Sequence, residues 1–254
     1  MNSADRLLTI LDLFSETRSE WTPEQIMTQT GFTRPTLYRY LKALREAGLI
    51  VSLRGAGYTL GPRVTELDYL MRNADPVISA GRSALVEMAA HHPGSAFLVR
   101  WYGQSILCVE SQISAPNPRS SYARGKPMPL ARGAISRAIL AHLPKRQQEE
   151  IGGANLSEFA NVGTGETLEE IRATLRRVRR DGVAVAHGEV TSGVVGIAAP
   201  IFDGGSIPVA ALCFTAEEND TNATQVKRLA GRIRDLAQEI STVLSGTEHV
   251  RRIA

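Results

Sequence analysis

The sequence predicts an α+β protein in which a small helical domain precedes a larger domain built around an antiparallel sheet. Two observations lead to this prediction. The first 61 residues combine amphipathic helical segments with a glycine-tipped hairpin pattern. Beyond residue 75, strand-like apolar runs joined by short turns are accompanied by helical segments, as in α+β sheet domains. A length of 254 residues allows one large domain or two ordinary ones, and 43% hydrophobic with 22% charged residues is typical of a globular protein.

The first two helices are predicted by apolar periodicity and by a capping pattern. The segment ADRLLTILDLFSE carries an apolar stripe at helical spacing, which consists of Leu7, Ile10, Leu11 and Phe14. Thr22 is a favourable N-cap, and Gln25 stands where a capping box requires Glu or Gln. Pro23 suits the first helical position, and Gly31 ends this second helix and turns the chain.

A basic helix and a hairpin follow. Thr33 is expected to cap a third helix that reaches Ala47, with Gly48 as its C-cap. The runs LIVSL and YTLGP flank RGAG, which predicts a hairpin with a glycine-rich turn. A capped helix, a glycine turn, a basic helix and a hairpin, in this order, indicate a winged helix-turn-helix.

The third helix separates an apolar side from a cationic one. Leu37, Leu41 and Leu44 are expected to face the core, so the opposite side is free to enter a DNA major groove. The predicted DNA contacts on this helix and at the wing tip are Arg34, Pro35, Thr36, Tyr38, Arg39, Lys42 and Arg54. The net charge of +3 permits an anionic partner without requiring one. A solvated basic face, or a winged helix that serves protein contacts, is the competing interpretation.

A linker helix and a second domain complete the chain. Residues 62–74 read as a helix that Pro76 interrupts, so we expect a DNA-binding domain over 1–61, a linker over 62–75 and a second domain over 76–254. In the second domain, strands are expected at 95–102 and 105–113, around a turn at Gly103. Further strands are expected in VAVAH, GVVGIAAPIF and IPVAALCFTA. Helices are expected over 77–92, 133–141 and 222–244, and Thr167 with Glu170 predicts a capping box.

The order and spacing of several blocks resemble the IclR family of bacterial transcriptional regulators. The likeness rests on TGFTRPTLYRYLKALREAGLI and GYTLGPRVTEL in the first domain. In the second it rests on GKPMPLARGAISRAILA, RRDGVAVAHGEVTSGVVGIAAPIFD and IPVAALCFTAEE. The resemblance implies a DNA-binding domain, a linker helix and a GAF-like effector domain. It also implies a homodimer or homotetramer that binds double-stranded DNA at a palindromic operator and responds to a small-molecule effector.

The resemblance also implies where the effector binds. Matching positions are the helix start at Ala134 and Ile135, and the later strand positions Ala186, Gly196, Cys213 and Thr215. Relatives that bind small oxo-acids are expected to carry Asp where Ala186 stands and Cys where Gly196 stands. Both departures remove bulk and polar atoms. We therefore expect a roomier, more apolar site for an aromatic or medium-sized organic acid, or a related amide, with Arg132 and His187 as adjacent candidates for its anionic end.

Nothing in the sequence indicates catalysis, a metal site or a cofactor. The usual zinc, phosphate-loop and CxxC motifs are absent. Cys108 and Cys213 lie in apolar runs, where a buried reduced thiol is expected. A cysteine hydrolase in which His187 serves Cys213 as a base is the remaining enzymatic alternative. Because the sequence shows no signal-peptide pattern and no apolar run long enough to span a bilayer, we expect a cytoplasmic protein. Because no catalytic motif accompanies the winged helix, we expect a regulator rather than an enzyme.

Overall fold

The computed structural model describes residues 3–55, 57–114, 119 and 122–253, with side chains described as far as residue 246. The chain divides into two compact units, Met1–Ala74 and Asp75–Ala254. The first unit is helical with a small hairpin, and the second packs helices on an antiparallel sheet. The predicted α+β class is therefore confirmed.

The first unit is a helix-turn-helix followed by a two-stranded wing. Its elements are α1 (Ser3–Leu8), α2 (Pro23–Thr30), α3 (Arg34–Glu46), β1 (Ile50–Ser52), β2 (Tyr58–Leu60) and α4 (Pro62–Ala74). The strands β1 and β2 are antiparallel, and Val51 pairs with Thr59. Trp21 extends this ribbon, because its N–H donates to the Tyr58 carbonyl and its own carbonyl accepts from the Tyr58 N–H. The core of the unit contains Ile10, Trp21, Ile26, Phe32, Leu37, Tyr40, Leu41, Leu44 and Ile50.

The end of the first helix differs from the prediction, and Thr33, although it is the N-cap residue of α3 as predicted, lacks the expected capping bond. The first helix ends at Leu8, and a short 3₁₀ turn over Leu11–Leu13 follows. β-branched Thr9 and Ile10 stand at this break, where restricted χ1 angles disfavour the continuing helix. Thr33 makes no capping bond to the backbone of α3; its hydroxyl donates to the Thr36 hydroxyl instead.

The other helix ends in this unit follow the sequence signals. The Thr22 hydroxyl accepts from the Gln25 N–H at 3.3 Å, and the Gln25 side chain accepts from the Thr22 N–H at 3.0 Å, which completes the predicted capping box. α3 ends at Glu46 with Ala47 as its C-cap, one residue earlier than predicted, and Gly48 follows with a φ of 71°, a left-handed conformation that turns the chain into the wing. Gly61 allows a close backbone approach, because a Cβ atom there would lie 2.2 Å from the Gly48 carbonyl oxygen.

The second unit is a six-stranded antiparallel sheet with helices on both faces. Its helices are α5 (Pro76–His91), α6 (Gly133–Leu140), α7 (Lys145–Ala154), α8 (Leu156–Asn161), α9 (Leu168–Asp181) and α10 (Ala223–Ile253). Its strands are β3 (Ser95–Trp101), β4 (Ile106–Ile113), β5 (Pro127–Met128), β6 (Ala184–His187), β7 (Val194–Ile201) and β8 (Ala210–Glu217). Their order across the sheet is β5-β4-β3-β8-β7-β6.

Alternate residues along the strands face two separate cores. Leu98, Ile197 and Phe214 belong to a core shared with α5 and α10. Phe97, Ala198 and Cys213 belong to the opposite core, which α6, α8 and α9 cover. Because side chains of a strand alternate between the two faces of a sheet, this division assigns each strand residue to one core.

Sequence reasoning located most elements of the second unit but missed α7, α8 and β5. The α7 segment has few apolar residues, α8 has six residues and β5 has two, so each carries a weak periodic signal. Thr167 caps α9 through the Glu170 N–H as predicted. The reciprocal half of the capping box differs, because the Glu170 carboxylate accepts from the Glu166 N–H instead of the Thr167 N–H.

Candidate functional site

The outer face of α3 carries the residues that sequence reasoning assigned to DNA. Leu37, Leu41 and Leu44 are buried on the opposite side of the helix. The predicted contact side chains are exposed except for Thr36, which is half-buried; the exposed ones are Arg34, Pro35, Tyr38, Arg39, Lys42 and, in the wing turn, Arg54. The face is therefore open to a partner and predominantly cationic, which suits the phosphate-rich walls of a DNA groove.

Aromatic side chains support the arginines around this face. The Arg39 guanidinium lies over the Tyr40 ring at 5.2 Å, and Tyr40 meets Phe32 edge-on with ring centroids 5.6 Å apart. The Arg6 guanidinium lies over the Phe32 ring at 5.0 Å. Because Phe32 and Tyr40 are buried, this arrangement holds both guanidinium groups beside the α3 surface instead of leaving them fully free in solvent.

A cavity in the second unit lies between the sheet and the start of α6. Its volume is about 50 Å³. The six positions predicted to bind an effector all line it, namely Ala134, Ile135, Ala186, Gly196, Cys213 and Thr215. The strand register explains this convergence: Gly196 pairs with Ala186 on one side and with Thr215 on the other, so their side-chain positions share one face of the sheet.

The cavity is small for the aromatic or medium-sized acid that the sequence led us to expect. An apolar cavity of about 150 Å³ is the size that accommodates benzene in a protein core. The cavity also has walls that sequence reasoning did not foresee, including the side chains of Tyr122, Met128 and Val190. They occupy space next to the small residues Ala186 and Gly196.

A buried ion pair fixes the start of α6 beside this cavity. The Arg137 guanidinium donates to both Glu189 carboxylate oxygens, at 2.7 and 2.8 Å, and also to the Val185 carbonyl at 2.7 Å. Glu189 further accepts from the Gly133 N–H at 2.8 Å. The side chains of Arg137 and Glu189 are 7% and 12% exposed, so their charges neutralise each other away from water.

The remaining polar groups of the cavity are neutral or paired. Arg132 lines the cavity, and its guanidinium contacts the Glu158 carboxylate at 3.2 Å. Burial raises the pKa of the Tyr122 hydroxyl, which is hydrogen-bonded to the Thr191 side chain. The Thr215 hydroxyl donates to the Ser95 carbonyl at 3.4 Å. The lining therefore combines an apolar interior with a few polar groups, as small-molecule sites do.

The geometry does not support a cysteine hydrolase. His187 is exposed at the end of β6, where its Nδ1 lies 2.8 Å from the Glu218 carboxylate, and it does not line the cavity with Cys213. Burial raises the pKa of the Cys213 thiol far above its ordinary value. Burial likewise raises the pKa of Cys108 to about 11. Both thiols therefore stay protonated and unreactive at neutral pH.

Sequence reasoning missed three side chains at this site. Arg137 lies in a run from Arg119 to Arg146 that is rich in cations and free of acids, where a charged side chain is usually solvated, yet Arg137 is buried. The signal for this was available, since Arg137 shares the helical spacing of the apolar residues Ala134 and Ala138. Glu189 and Tyr122 lie outside regular helices and strands, where periodicity carries no information.

Two family models match the chain. The model described as the helix-turn-helix domain of IclR matches residues 3–54. The model described as the bacterial transcriptional regulator IclR C-terminal domain matches residues 76–242. These models belong to transcriptional regulators and not to enzymes. Among the residues that the structure describes, no helix has the length and apolarity needed to cross a membrane.

Individual relatives are similar over nearly the whole chain. The regulator KipR of Bacillus subtilis is 23% identical over 246 residues, which is 94% of this chain and 96% of KipR. The structure of an IclR transcriptional regulator from Alicyclobacillus acidocaldarius has a TM-score of 0.79 at 22% identity and covers 95% of this chain and 98% of its own. The structure of an IclR homologue from Microbacterium hydrocarbonoxydans, complexed with 4-hydroxybenzoate, has a TM-score of 0.79 at 20% identity. The match covers 96% of this chain and 100% of the homologue.

Proposed function

The chain belongs to the IclR family of DNA-binding transcriptional regulators, and from this premise we propose that an aromatic or medium-sized organic acid, or a related amide, controls its binding to DNA. The acid binds in the cavity between α6 and the sheet. The regulator acts in the cytoplasm as a homodimer or homotetramer on a palindromic operator.

The exposed cationic face of α3 supports the DNA-binding half of this proposal. Arg39 and Lys42 project from the side opposite the buried leucines, and a major groove is wide enough to admit this helix. Arg39 contacts a base edge or a nearby phosphate, with Thr36 and Tyr38 as further groove contacts. Arg54 at the wing tip contacts phosphates with little sequence preference.

The convergence of the six predicted residues on one cavity is the single observation that supports the effector-binding part of this proposal. These residues come from α6, β6, β7 and β8, and the strand register together with the packing of α6 on the sheet places them around one void. The backbone N–H groups of Ala134 and Ile135 belong to the first turn of α6, where an anionic group is favoured. The IclR homologue complexed with 4-hydroxybenzoate makes an aromatic acid of one ring the first candidate.

The surface of α4 supports the proposed oligomer. No residue of α4 is buried, and Leu67, Leu70 and Met71 are between 44% and 54% exposed. Apolar side chains grouped on an otherwise solvated helix are typical of an interaction surface. A second copy of the chain that covered this surface would present two copies of α3 to the two halves of a palindrome.

A thermal-shift panel tests the effector class. The panel contains 4-hydroxybenzoate, benzoate, benzamide, glyoxylate and pyruvate, each added to the purified full-length chain. An effector at 100 times its dissociation constant stabilises the protein by about 2.7 kcal/mol. We expect one or more of the aromatic compounds to raise the unfolding temperature. A response to glyoxylate and pyruvate alone would contradict the proposed effector class.

A further inference from the structure

Full burial of an aromatic ligand in this cavity requires that part of its wall moves. The cavity, which is partly open to solvent, holds about 50 Å³, a third of the volume of about 150 Å³ that accommodates benzene in a protein core. A one-ring acid is therefore buried completely only if some side chain moves. This inference rests on the proposed function, since it concerns the same cavity and the same class of ligand.

Most of the wall is held in place by several contacts at once. Gly196, Cys213 and Thr215 belong to β7 and β8, which pair with each other over eight positions in the interior of the sheet. The loop between β6 and β7 is tied down by Glu189, whose carboxylate accepts from Gly133 and from two nitrogens of Arg137. Moving either part would break several hydrogen bonds or expose a buried charge.

Tyr122 is held much less firmly. Its ring meets Phe97 edge-on, with centroids 5.5 Å apart and an angle of 85° between the planes. Its hydroxyl is hydrogen-bonded to the Thr191 side chain, the one such partner found among the described residues, and Tyr122 is only half-buried. The backbone just beyond it is fixed to β4, because the Gly125 N–H donates to the Cys108 carbonyl at 2.8 Å. Rotation of the Tyr122 side chain therefore breaks one hydrogen bond and one ring contact, which is less than a shift of β7, β8 or the Glu189 loop would break.

We propose that Tyr122 is a specificity-determining residue of the effector site: its ring turns away from Thr191 to make room for an aromatic acid and then packs against the ring of the ligand. A tyrosine ring interacts favourably with another aromatic ring in offset-stacked or edge-to-face geometry, and this preference exceeds what burial of area alone provides. A saturated ring of the same size gains binding free energy from the burial of its surface but not from an aromatic interaction. The cavity thus selects planar aromatic acids over saturated ones.

Calorimetric titration with two matched probes tests this assignment. Benzoate carries the aromatic ring, and cyclohexanecarboxylate carries a saturated ring of similar size. The variants are Tyr122→Leu, which keeps an apolar side chain without the ring, and Tyr122→Phe, which keeps the ring without the hydroxyl. Tyr102→Leu is the matched control, because Tyr102 is 46% exposed and does not line the cavity.

The expected result is selective for the aromatic probe. Tyr122→Leu weakens benzoate binding about 2- to 12-fold, the ratio that corresponds to an aromatic pair interaction, and leaves cyclohexanecarboxylate unchanged. Tyr122→Phe binds benzoate at least as tightly as the wild type, because its ring turns without breaking a hydrogen bond to Thr191, and Tyr102→Leu binds benzoate as the wild type does. Equal weakening of both probes, or no weakening of either by Tyr122→Leu, would overturn the role of Tyr122 alone. If no aromatic acid binds the wild type, the proposed effector class fails as well.

Discussion

Replacing Gly196 with alanine adds one methyl group to the ligand cavity and leaves the rest of the fold undisturbed. A Cβ atom at this position would lie 3.9 Å from the Ala134 Cβ and 3.9 Å from the Thr215 Cγ2, which is ordinary van der Waals contact. Gly196 lies inside β7 and is not among the glycines with a positive φ. Because glycine in a strand costs about 0.5–1 kcal/mol relative to alanine, the variant should be at least as stable as the wild type.

The same methyl group should weaken the effector strongly. A methyl group is close in size to a water molecule, which needs about 10–15 Å³ of cavity volume. That is about a quarter of this cavity of about 50 Å³. An extra methylene-sized group in a filled site costs about 1–3 kcal/mol, which corresponds to about a 5- to 150-fold loss of affinity.

Thermal unfolding and calorimetric titration with 4-hydroxybenzoate separate the two effects. Gly231→Ala is the control, since Gly231 lies in α10 with nothing within 4 Å of its added Cβ. We expect both variants to unfold no earlier than the wild type and Gly196→Ala alone to bind the acid less tightly. Wild-type affinity in Gly196→Ala would refute the placement of the ligand against β7.

Three further predictions concern DNA readout, the buried ion pair and pH. Arg39→Ala should lose about 1–3 kcal/mol of operator affinity in a gel-shift titration. Arg176→Ala, which changes an exposed arginine of the second unit, should bind the operator as tightly as the wild type. If Arg39→Ala also binds the operator as tightly as the wild type, Arg39 does not belong to the DNA interface. Glu189→Gln should lower the free energy of unfolding in urea by about 3–5 kcal/mol because Arg137 stays buried without its anion, and a loss below 1 kcal/mol would contradict this. Burial lowers the pKa of His142 from 6.5 to about 4, so on acidification the unfolded chain takes up a proton before the folded one, and the free energy of unfolding falls between those two pH values. His142→Phe should therefore lose less stability than the wild type between about pH 7 and pH 5 in urea titrations. An equal loss of stability in both proteins would assign the pH dependence to other groups.

The helix boundaries that the sequence predicted well are those with strong local chemistry. Helix caps form through interactions within a few residues, so the local sequence is enough to predict them. Examples are the capping box of Thr22 and Gln25 and the left-handed Gly48 after α3. Thr33 shows the limit of this reasoning. Pro35 has no backbone N–H, so it removes one of the donors that a capping Thr33 would bind. The Thr33 hydroxyl donates to the Thr36 hydroxyl instead.

The candidate site was predicted where it lies on strands and missed where it depends on distant contacts. The resemblance to relatives supplied all six positions, and alternation along β7 and β8 explains why Gly196 and Thr215 share one face of the sheet. The pairing of Arg137 with Glu189 spans 52 residues, and no local pattern specifies it. Tyr122 reaches the cavity from outside the regular elements, and its packing on Phe97 closes the space that small residues had suggested would be open.

The coupling between the cavity and DNA is the central claim, and one measurement tests it directly. The affinity of the full-length chain for its own upstream region is measured by fluorescence anisotropy at constant salt, with and without saturating 4-hydroxybenzoate. Gly196→Val, which fills the cavity with a strand-compatible side chain, is measured in parallel. We expect the acid to change the wild-type affinity about 5- to 150-fold and to leave Gly196→Val, still bound to DNA, unaffected. An acid that binds the wild type without changing its DNA affinity, or one that acts equally on Gly196→Val, would contradict the account.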